Sequence, residues 1–345
     1  MGSIVMVTGG TGYVGSWIVR ALLEKGYTVR AAIRNKSNIS KVRHLLDIEA
    51  GTPGHLELWE ADLLAEGSFN DAARGAQYVI HTASPFTLHF KDAQRELIDP
   101  ALKGTANVLN AATGSGSVQK VILTSSVAAV HGDNIDMSAQ KLSEFSENQF
   151  NTTSSLNHQP YSFSKVLAEK AAWQLAEAQT QWQLVAINPA FVMGPPLNSR
   201  SGSESLTLMK ALLGGKYKTG IPDLKFGFVD VRDVAQAHIL AMENDHVEGR
   251  YILSAEVCSL YDLAQQLKSI YGKKYPLPVR KVPKFLISLL APLFGLNRRF
   301  VRRNVGYPLQ FNTTKSRASL QLSYRPLLQT LEDMVGKMEK LGMVQ

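Results

Sequence analysis

The chain has 345 residues, 45% apolar and 19% charged, enough to bury one large core or two modest ones at ~100–200 residues per domain. That composition excludes a disordered chain, a collagen-like fibre and a coiled coil. The single cysteine, Cys258, excludes an intrachain disulfide framework and a multi-cysteine metal cluster, so no metal is expected. The net charge of +8 is concentrated, because residues 273–303 carry nine Lys/Arg and no acid while the rest of the chain is close to neutral. No zinc-finger spacing or RNP-type aromatic pattern goes with it; nucleic acid is not an expected partner, and the cluster reads as a solvated helical face.

The first strand-like run, 4–8, starts almost at the terminus, with no signal-peptide pattern before it. Further apolar runs follow at 28–33, 56–59, 78–82, 121–124 and 184–188, several without alternation, as in parallel strands covered on both faces. Val14, Ile18, Ala21 and Leu22 recur at helical spacing between the first two, and Gly26 follows as a stop. Strand–helix–strand repeated in this way predicts an α/β protein with a Rossmann-type doubly wound parallel sheet. After about residue 190 the texture changes. Residues 189–205 are rich in Pro, Gly and Ser and read as an irregular excursion, 228–244 as strand then helix with Asp233 as N-cap, and 250–254 as one more strand. The remainder reads as helical and basic, with turns at Pro276, Pro278 and Pro283. The expected division is a dinucleotide-binding domain over 1–190, with 226–255 returning to it, and a smaller, mostly helical substrate-binding region over 191–345. The apolar run 285–296 has 12 residues, holds Pro292 and Gly295, and falls short of the ~20 that span a bilayer. A cytoplasmic protein without stable membrane insertion is expected, with a homodimer allowed.

Two motifs carry chemistry. TGGTGYVG, residues 8–15, follows the first strand and opens a helix, so that Gly9, Thr11, Gly12, Tyr13, Val14 and Gly15 form a tight turn whose backbone amides approach a pyrophosphate. At the tip of the second strand an acid would bind a ribose 2′-hydroxyl and repel a 2′-phosphate; here Arg34, Asn35 and Lys36 stand instead, with Lys41 beyond, which favours NADP(H). The second motif is Tyr161-Ser-Phe-Ser-Lys165. The spacing is common by chance, but here it opens a helical stretch in which i and i+4 share a face. A lysine there is expected to depress the tyrosine pKa and hold a ribose hydroxyl, making the tyrosine a proton donor. Ser125 and Ser126 arrive at the carboxyl end of strand 121–124, where a hydroxyl can polarise a substrate carbonyl. No G-x-S-x-G elbow supports a hydrolase.

TGGTGYVG, Asp62-Leu63, HTASP (81–85), GTANVLNA (104–111), LTSS (123–126), YSFSK and VDVRDVAQAH together resemble the extended short-chain dehydrogenase/reductases, in particular the dihydroflavonol 4-reductase, cinnamoyl-CoA reductase and methylglyoxal-type carbonyl reductase branch, over the chain to about residue 255. The resemblance implies Ser126, Tyr161 and Lys165 as a catalytic trio, with Ser126 preferred over Ser125 by its distance to Tyr161, and Asn107 as a proton-relay residue. It implies Arg34 and Lys41 on the 2′-phosphate, Asp62 and Leu63 around adenine, and Ala83, Ser84, Thr124, Tyr161, Lys165, Pro189 and Val192 along the cofactor. Phe86, Ser126, His131, Tyr161, Phe191 and Phe226 are the expected substrate contacts, with Phe163 and Met193 as further apolar wall candidates. The chain departs from flavonoid-reducing relatives at His131 and Gly227, where those carry an asparagine and a glutamine that hold ring hydroxyls. The leading expectation is an NADPH-dependent aldehyde or ketone reductase. The alternatives are a nucleotide-sugar epimerase or dehydratase, which Arg34 contradicts, a hydroxysteroid dehydrogenase with a membrane-touching tail, and a non-enzymatic cofactor sensor.

Overall fold

The computed structural model describes residues 2–84, 91–200, 202–291 and 297–344. Six strands alternate with helices through the first half: β1 (Ile4–Thr8), α1 (Tyr13–Glu24), β2 (Thr28–Ile33), α2 (Ile39–Glu49), β3 (His55–Glu60), α3 (Asn70–Ala73), β4 (Tyr78–His81), α4 (Asp99–Gly114), β5 (Lys120–Thr124), α5 (Ile135–Ala139), α6 (Pro160–Glu177) and β6 (Gln183–Pro189). The second half comprises β7 (Phe191–Met193), α7 (Glu204–Leu213), β8 (Ile221–Pro222), β9 (Lys225–Asp230), α8 (Val231–Glu243), β10 (Gly249–Leu253), β11 (Glu256–Ser259), α9 (Leu260–Tyr271), β12 (Lys281–Val282), α10 (Lys284–Leu290), α11 (Arg298–Asn304), α12 (Thr314–Ser319) and α13 (Leu327–Lys340). Seven parallel strands form the main sheet in the order β10-β6-β5-β4-β1-β2-β3, the doubly wound arrangement expected of the alternating pattern.

The near-continuous apolar strands have the physical reason foreseen: both faces are covered. Val5 and Val7 point into a core shared with Ile18, Val19 and Leu22 of α1, Leu45 of α2 and Val234 of α8. Met6, Val79, Val121 and Leu123 point the opposite way, against Val108 and Leu109 of α4 and Ala172 of α6. The alternation is that of a pleated strand, but neither side meets water.

A second core lies beyond the carboxyl edge of the sheet. There α7, α9 and α13 enclose Met193, Met209, Phe228, Leu263, Leu331 and Met334 beside a three-stranded sheet in the order β11-β9-β7. Three local expectations are revised. The segment 189–205 is not wholly irregular, since it contributes β7 to that sheet. Of the stretch 226–255, α8 and β10 return to the main sheet, whereas β9 joins the smaller one. The cap of α8 is Asp230, whose carboxylate accepts from the Arg232 amide at 2.8 Å; Asp233 sits inside the first turn and accepts from the Arg325 amide at 2.8 Å. An N-cap must precede the first helical residue, and the β9–α8 junction leaves no loop before Val231, so the earlier aspartate takes the place.

Candidate active site

The glycine turn is built by close backbone approach. Gly9 has φ +69°, and a Cβ on it would lie 2.7 Å from Thr82 Oγ1 and 2.9 Å from the Ala83 nitrogen. A Cβ on Gly15 would lie 2.1 Å from the Gly9 carbonyl oxygen. Only glycine allows β1, the following loop and the start of α1 to meet there. Gly12 precedes α1 and supplies no side-chain cap, so the first-turn amides are left for an anion. This cradle fits a dinucleotide pyrophosphate. The Tyr13 side chain itself is engaged elsewhere, its hydroxyl donating to the Gly194 carbonyl at 2.6 Å.

Arg34 and Lys41 are exposed at the carboxyl end of β2 and the start of α2. The turn between them is ordered by Asn35, whose Oδ1 accepts from the amides of Ser37 (2.9 Å) and Asn38 (3.1 Å), and by Glu60 at the end of β3, which accepts from the Lys36 amide at 3.0 Å. Asp62 Oδ1 caps its own loop by accepting from Leu64 N at 2.8 Å. Asn107 holds the same loop: its Nδ2 donates to the Ala65 carbonyl at 2.7 Å and its Oδ1 accepts from Gly67 N at 2.9 Å. Asn107 is thus an anchor of the loop that carries Asp62 and Leu63.

At the carboxyl ends of β4 and β5, a narrow crevice is lined by Leu63, His81, Ala83, Ser84, Thr124 and Lys165. Thr8 Oγ1 accepts from the Ala83 amide at 3.2 Å and meets His81 Nδ1 at 2.7 Å. Burial, and secondarily the nearby Lys165 charge, hold His81 down to about 3. Thr124 Oγ1 meets His238 Nε2 at 2.7 Å.

Tyr161 lies in the first turn of α6 and Lys165 one turn on, with Lys165 Nζ 5.9 Å from the Tyr161 ring centroid. Burial pushes the Tyr161 phenol well above its ordinary value, and the charge of Glu204 pushes the same way. Burial lowers Lys165 to about 8, against a raising influence from Glu169. Burial therefore sets the direction for Tyr161, opposite to the lowering expected of the lysine.

The two candidate serines separate cleanly. Ser125 is buried, donates to Glu169, and its amide is bonded to the Ile187 carbonyl at 2.7 Å. Ser126 is half-exposed and opens a 3₁₀ turn against which α6 packs, its Oγ accepting from Ala128 N at 3.1 Å. Glu169 also pairs with Arg250 of β10 and accepts from Asn188 Nδ2 at 2.8 Å, which locks α6 to the sheet. Sequence reading missed Glu169, although positions 161, 165 and 169 share one helical face.

Just before α6, Gln159 has a left-handed backbone (φ 55°, ψ 56°) and its Nε2 donates to Asp133 at 2.7 Å. Asp133, fully buried, also binds His158 at 2.8 Å, Asn304 at 2.6 Å and Arg303. This cluster ties α11 to the entry of the Tyr161 helix, and nothing in the local sequence around Asp133 announces it.

Pro189 is buried at the end of β6, and Val192 is half-buried in β7. Phe191, Phe226 and Phe228 form an aromatic group with centroids 5.7–6.3 Å apart. Met193 is completely buried and belongs to the core instead of a pocket wall, while Phe163 is half-buried and Phe86 lies outside the described residues. His131 stacks on Phe145 at 5.0 Å and meets Phe311 at 5.2 Å; burial lowers it to about 4, and its Nδ1 has no partner among the described residues. At Gly227 a Cβ would come within 2.9 Å of the Phe311 ring and 2.6 Å of Ser254 Oγ, so the site of the missing glutamine is filled by neighbours.

Residues 5–253 match the model of the NAD dependent epimerase/dehydratase family. A cinnamoyl-CoA reductase (CAD2) of Medicago truncatula is 40% identical over 79% of this chain and 82% of its own. A bifunctional dihydroflavonol 4-reductase/flavanone 4-reductase of Malus domestica is 35% identical over 89% of this chain and 86% of its own. The crystal structure of Gre2 from Candida albicans in complex with NADPH superposes with a TM-score of 0.79 at 28% identity, covering 98% of this chain and 99% of that one. The chain belongs to the NAD dependent epimerase/dehydratase family, on the branch that holds the cinnamoyl-CoA and dihydroflavonol reductases.

Proposed function

We propose that the protein is an NADP(H)-dependent reductase of aldehyde and ketone carbonyls. The observation that carries the reading is the conjunction, at one edge of the sheet, of a side-chain-free glycine cradle with Ser126, Tyr161 and Lys165. Gly9, Gly12 and Gly15 would admit the pyrophosphate, and Arg34 and Lys41 the 2′-phosphate. When bound, NADPH supplies a hydride to the carbonyl carbon. Tyr161 Oη donates its proton to the carbonyl oxygen, completing the alcohol; an ordinary phenol already carries that proton at neutral pH, and burial favours the protonated form further. The Ser126 hydroxyl donates a hydrogen bond to the same oxygen and draws charge onto it. Lys165 holds a cationic head beside the tyrosine ring and the cofactor crevice.

Relatives named for cinnamoyl-CoA and dihydroflavonols leave the substrate open. The filled space at Gly227 and the neutral, aromatic-stacked His131 remove the amide pair that would read ring hydroxyls, and Phe191 and Phe226 offer apolar area. Compact aryl or short aliphatic carbonyls therefore suit the site better than a polyhydroxylated ring.

The test is a panel of aldehydes, ketones, dihydroflavonols and nucleotide sugars, followed by loss of nicotinamide absorbance with NADPH. Aryl aldehydes should be turned over with higher kcat/KM than dihydroquercetin, and the reverse order would restore the flavonoid reading. Tyr161→Phe should cut turnover by about 10²–10⁴-fold while NADPH binding, read by fluorescence, persists. Near-normal activity in that variant would overturn the mechanism.

A further inference from the structure

Helix α10 is apolar on two opposite sides. Inward, Ile287 and the adjoining Ala291 meet Val301 and Val305 in a small buried cluster. Outward, Phe285 and Leu289 stand four residues apart on one face, 71% and 65% exposed, with Leu286 beside them. An apolar helix face is ordinarily covered. No described residue covers the outer one.

The surroundings of that face are cationic. In α11, Val301 and Asn304 are buried and Arg303 turns inward to Asp133 and Asp136, which leaves Arg298, Arg299 and Arg302 exposed. These three share a concavity with Lys284, Phe285 and Ser288. Lys284 Nζ donates to the Arg302 carbonyl at 2.9 Å and lies 4.2 Å from the Tyr307 ring centroid. Among the described residues no carboxylate forms an ion pair with any of the four, and the chain from 273 to 303 contains no acid to do so.

We propose that the α10–α11 face docks on a membrane surface bearing anionic headgroups, with Phe285 and Leu289 entering the headgroup–acyl boundary and Lys284, Arg298, Arg299 and Arg302 meeting lipid phosphates. The occupant must supply apolar volume and negative charge side by side, and a bilayer does so within roughly 5–10 Å of depth. A second copy of this chain is the poorer fit, because a twofold apposition would set these cations against their own counterparts. No helix among the described residues is long and apolar enough to span a membrane, so the contact is interfacial.

The experiment is co-sedimentation of the purified full chain with vesicles of phosphatidylcholine, with or without phosphatidylserine. Binding is expected only when phosphatidylserine is present, falling about tenfold or more from low to high salt. The triple variant Arg298→Gln/Arg299→Gln/Arg302→Gln and the double variant Phe285→Ser/Leu289→Ser should each lower the bound fraction about tenfold or more, with unchanged Tm. In Phe285→Trp, the new indole emission should shift to the blue on adding phosphatidylserine vesicles. Failure to sediment with those vesicles at low salt overturns the proposal and leaves an acidic protein as the cover; so does equal binding of the wild type and both multiple variants. Carbonyl reduction plays no part in any of these readouts, so they stand or fall separately from the proposed activity.

Discussion

Lys165 is the residue whose electrostatics should be visible in kinetics. With its ammonium lowered to about 8 by burial, the cation is present below that pH and disappears above it. The kcat/KM for NADPH reports free enzyme and should fall about tenfold per pH unit above 8. Lys165→Arg, which stays charged, should flatten that limb; a limb that stays in place would point to a different group. Tyr161 is not a candidate for it, because its phenol is driven the other way, well out of the neutral range. Arg34 invites a second measurement at this scale. Arg34→Ala should raise the KM for NADPH about ten- to a hundredfold, the loss of a charge-assisted bond of roughly 1.5–3 kcal/mol, and leave the use of NADH nearly unchanged. Equal losses with both cofactors would mean that the guanidinium serves the turn instead of the phosphate.

At the scale of elements, the proposed role of Tyr161 requires α6 to be held fast, and it is held at its entry and at its middle. Its entry is pinned through Gln159 to buried Asp133, and its middle through Glu169 to Arg250, Ser125 and Asn188. The Glu169 side chain is completely buried and that of Arg250 nearly so. Removing one partner of such a pair leaves a dry, uncompensated charge. Arg250→Met should therefore cost about 3–5 kcal/mol of unfolding free energy, measured by urea titration. A cost under about 1 kcal/mol would show that water or a rearranged side chain satisfies the carboxylate. Arg250 also lies 3.9 Å over the Phe150 ring, so the same change loosens the loop that precedes α6.

For the whole molecule, two buried histidines set a direction for acid stability. His81 and His238 are at most 2% exposed, and burial lowers them to about 3 and about 4. Both are neutral in the folded chain, whereas the unfolded chain binds protons from about pH 6.5 downward. Their contribution is therefore complete above pH 6.5 and is lost progressively as the pH falls toward the folded values. By pH 5 each has forfeited about 2 kcal/mol, so together about 4 kcal/mol is gone from a total that is ordinarily ~5–15 kcal/mol. His131, likewise lowered to about 4, acts with the same sign, so unfolding free energy from denaturant titrations at pH 7 and pH 5 should differ by that amount or more, and His238→Asn should shrink the difference. A curve flat between the two pH values would mean that these imidazoles are hydrated.

Local chemistry made the core of this protein legible in its sequence. Apolar runs without alternation announce strands buried on both faces, Gly9, Gly12 and Gly15 announce backbones that must touch, and Tyr161 with Lys165 announces one face of a helix. Each of those signals is decided within a few residues by sterics or periodicity, and each strand of the main sheet lies where the pattern put it, to within a residue or two at the ends. What only the tertiary structure decided depends on partners distant in the chain. It separated Ser125 from Ser126 through Glu169, drew Asn107 to the loop after Asp62, filled the space at Gly227 with Phe311, and gathered Asp133, His158 and Arg303 into one cluster. It also reversed the direction expected for Tyr161, since desolvation depends on everything that surrounds a side chain. Sequence spacing records which groups can share a face; how dry that face becomes, and which distant residue closes it, is settled only when the chain is packed.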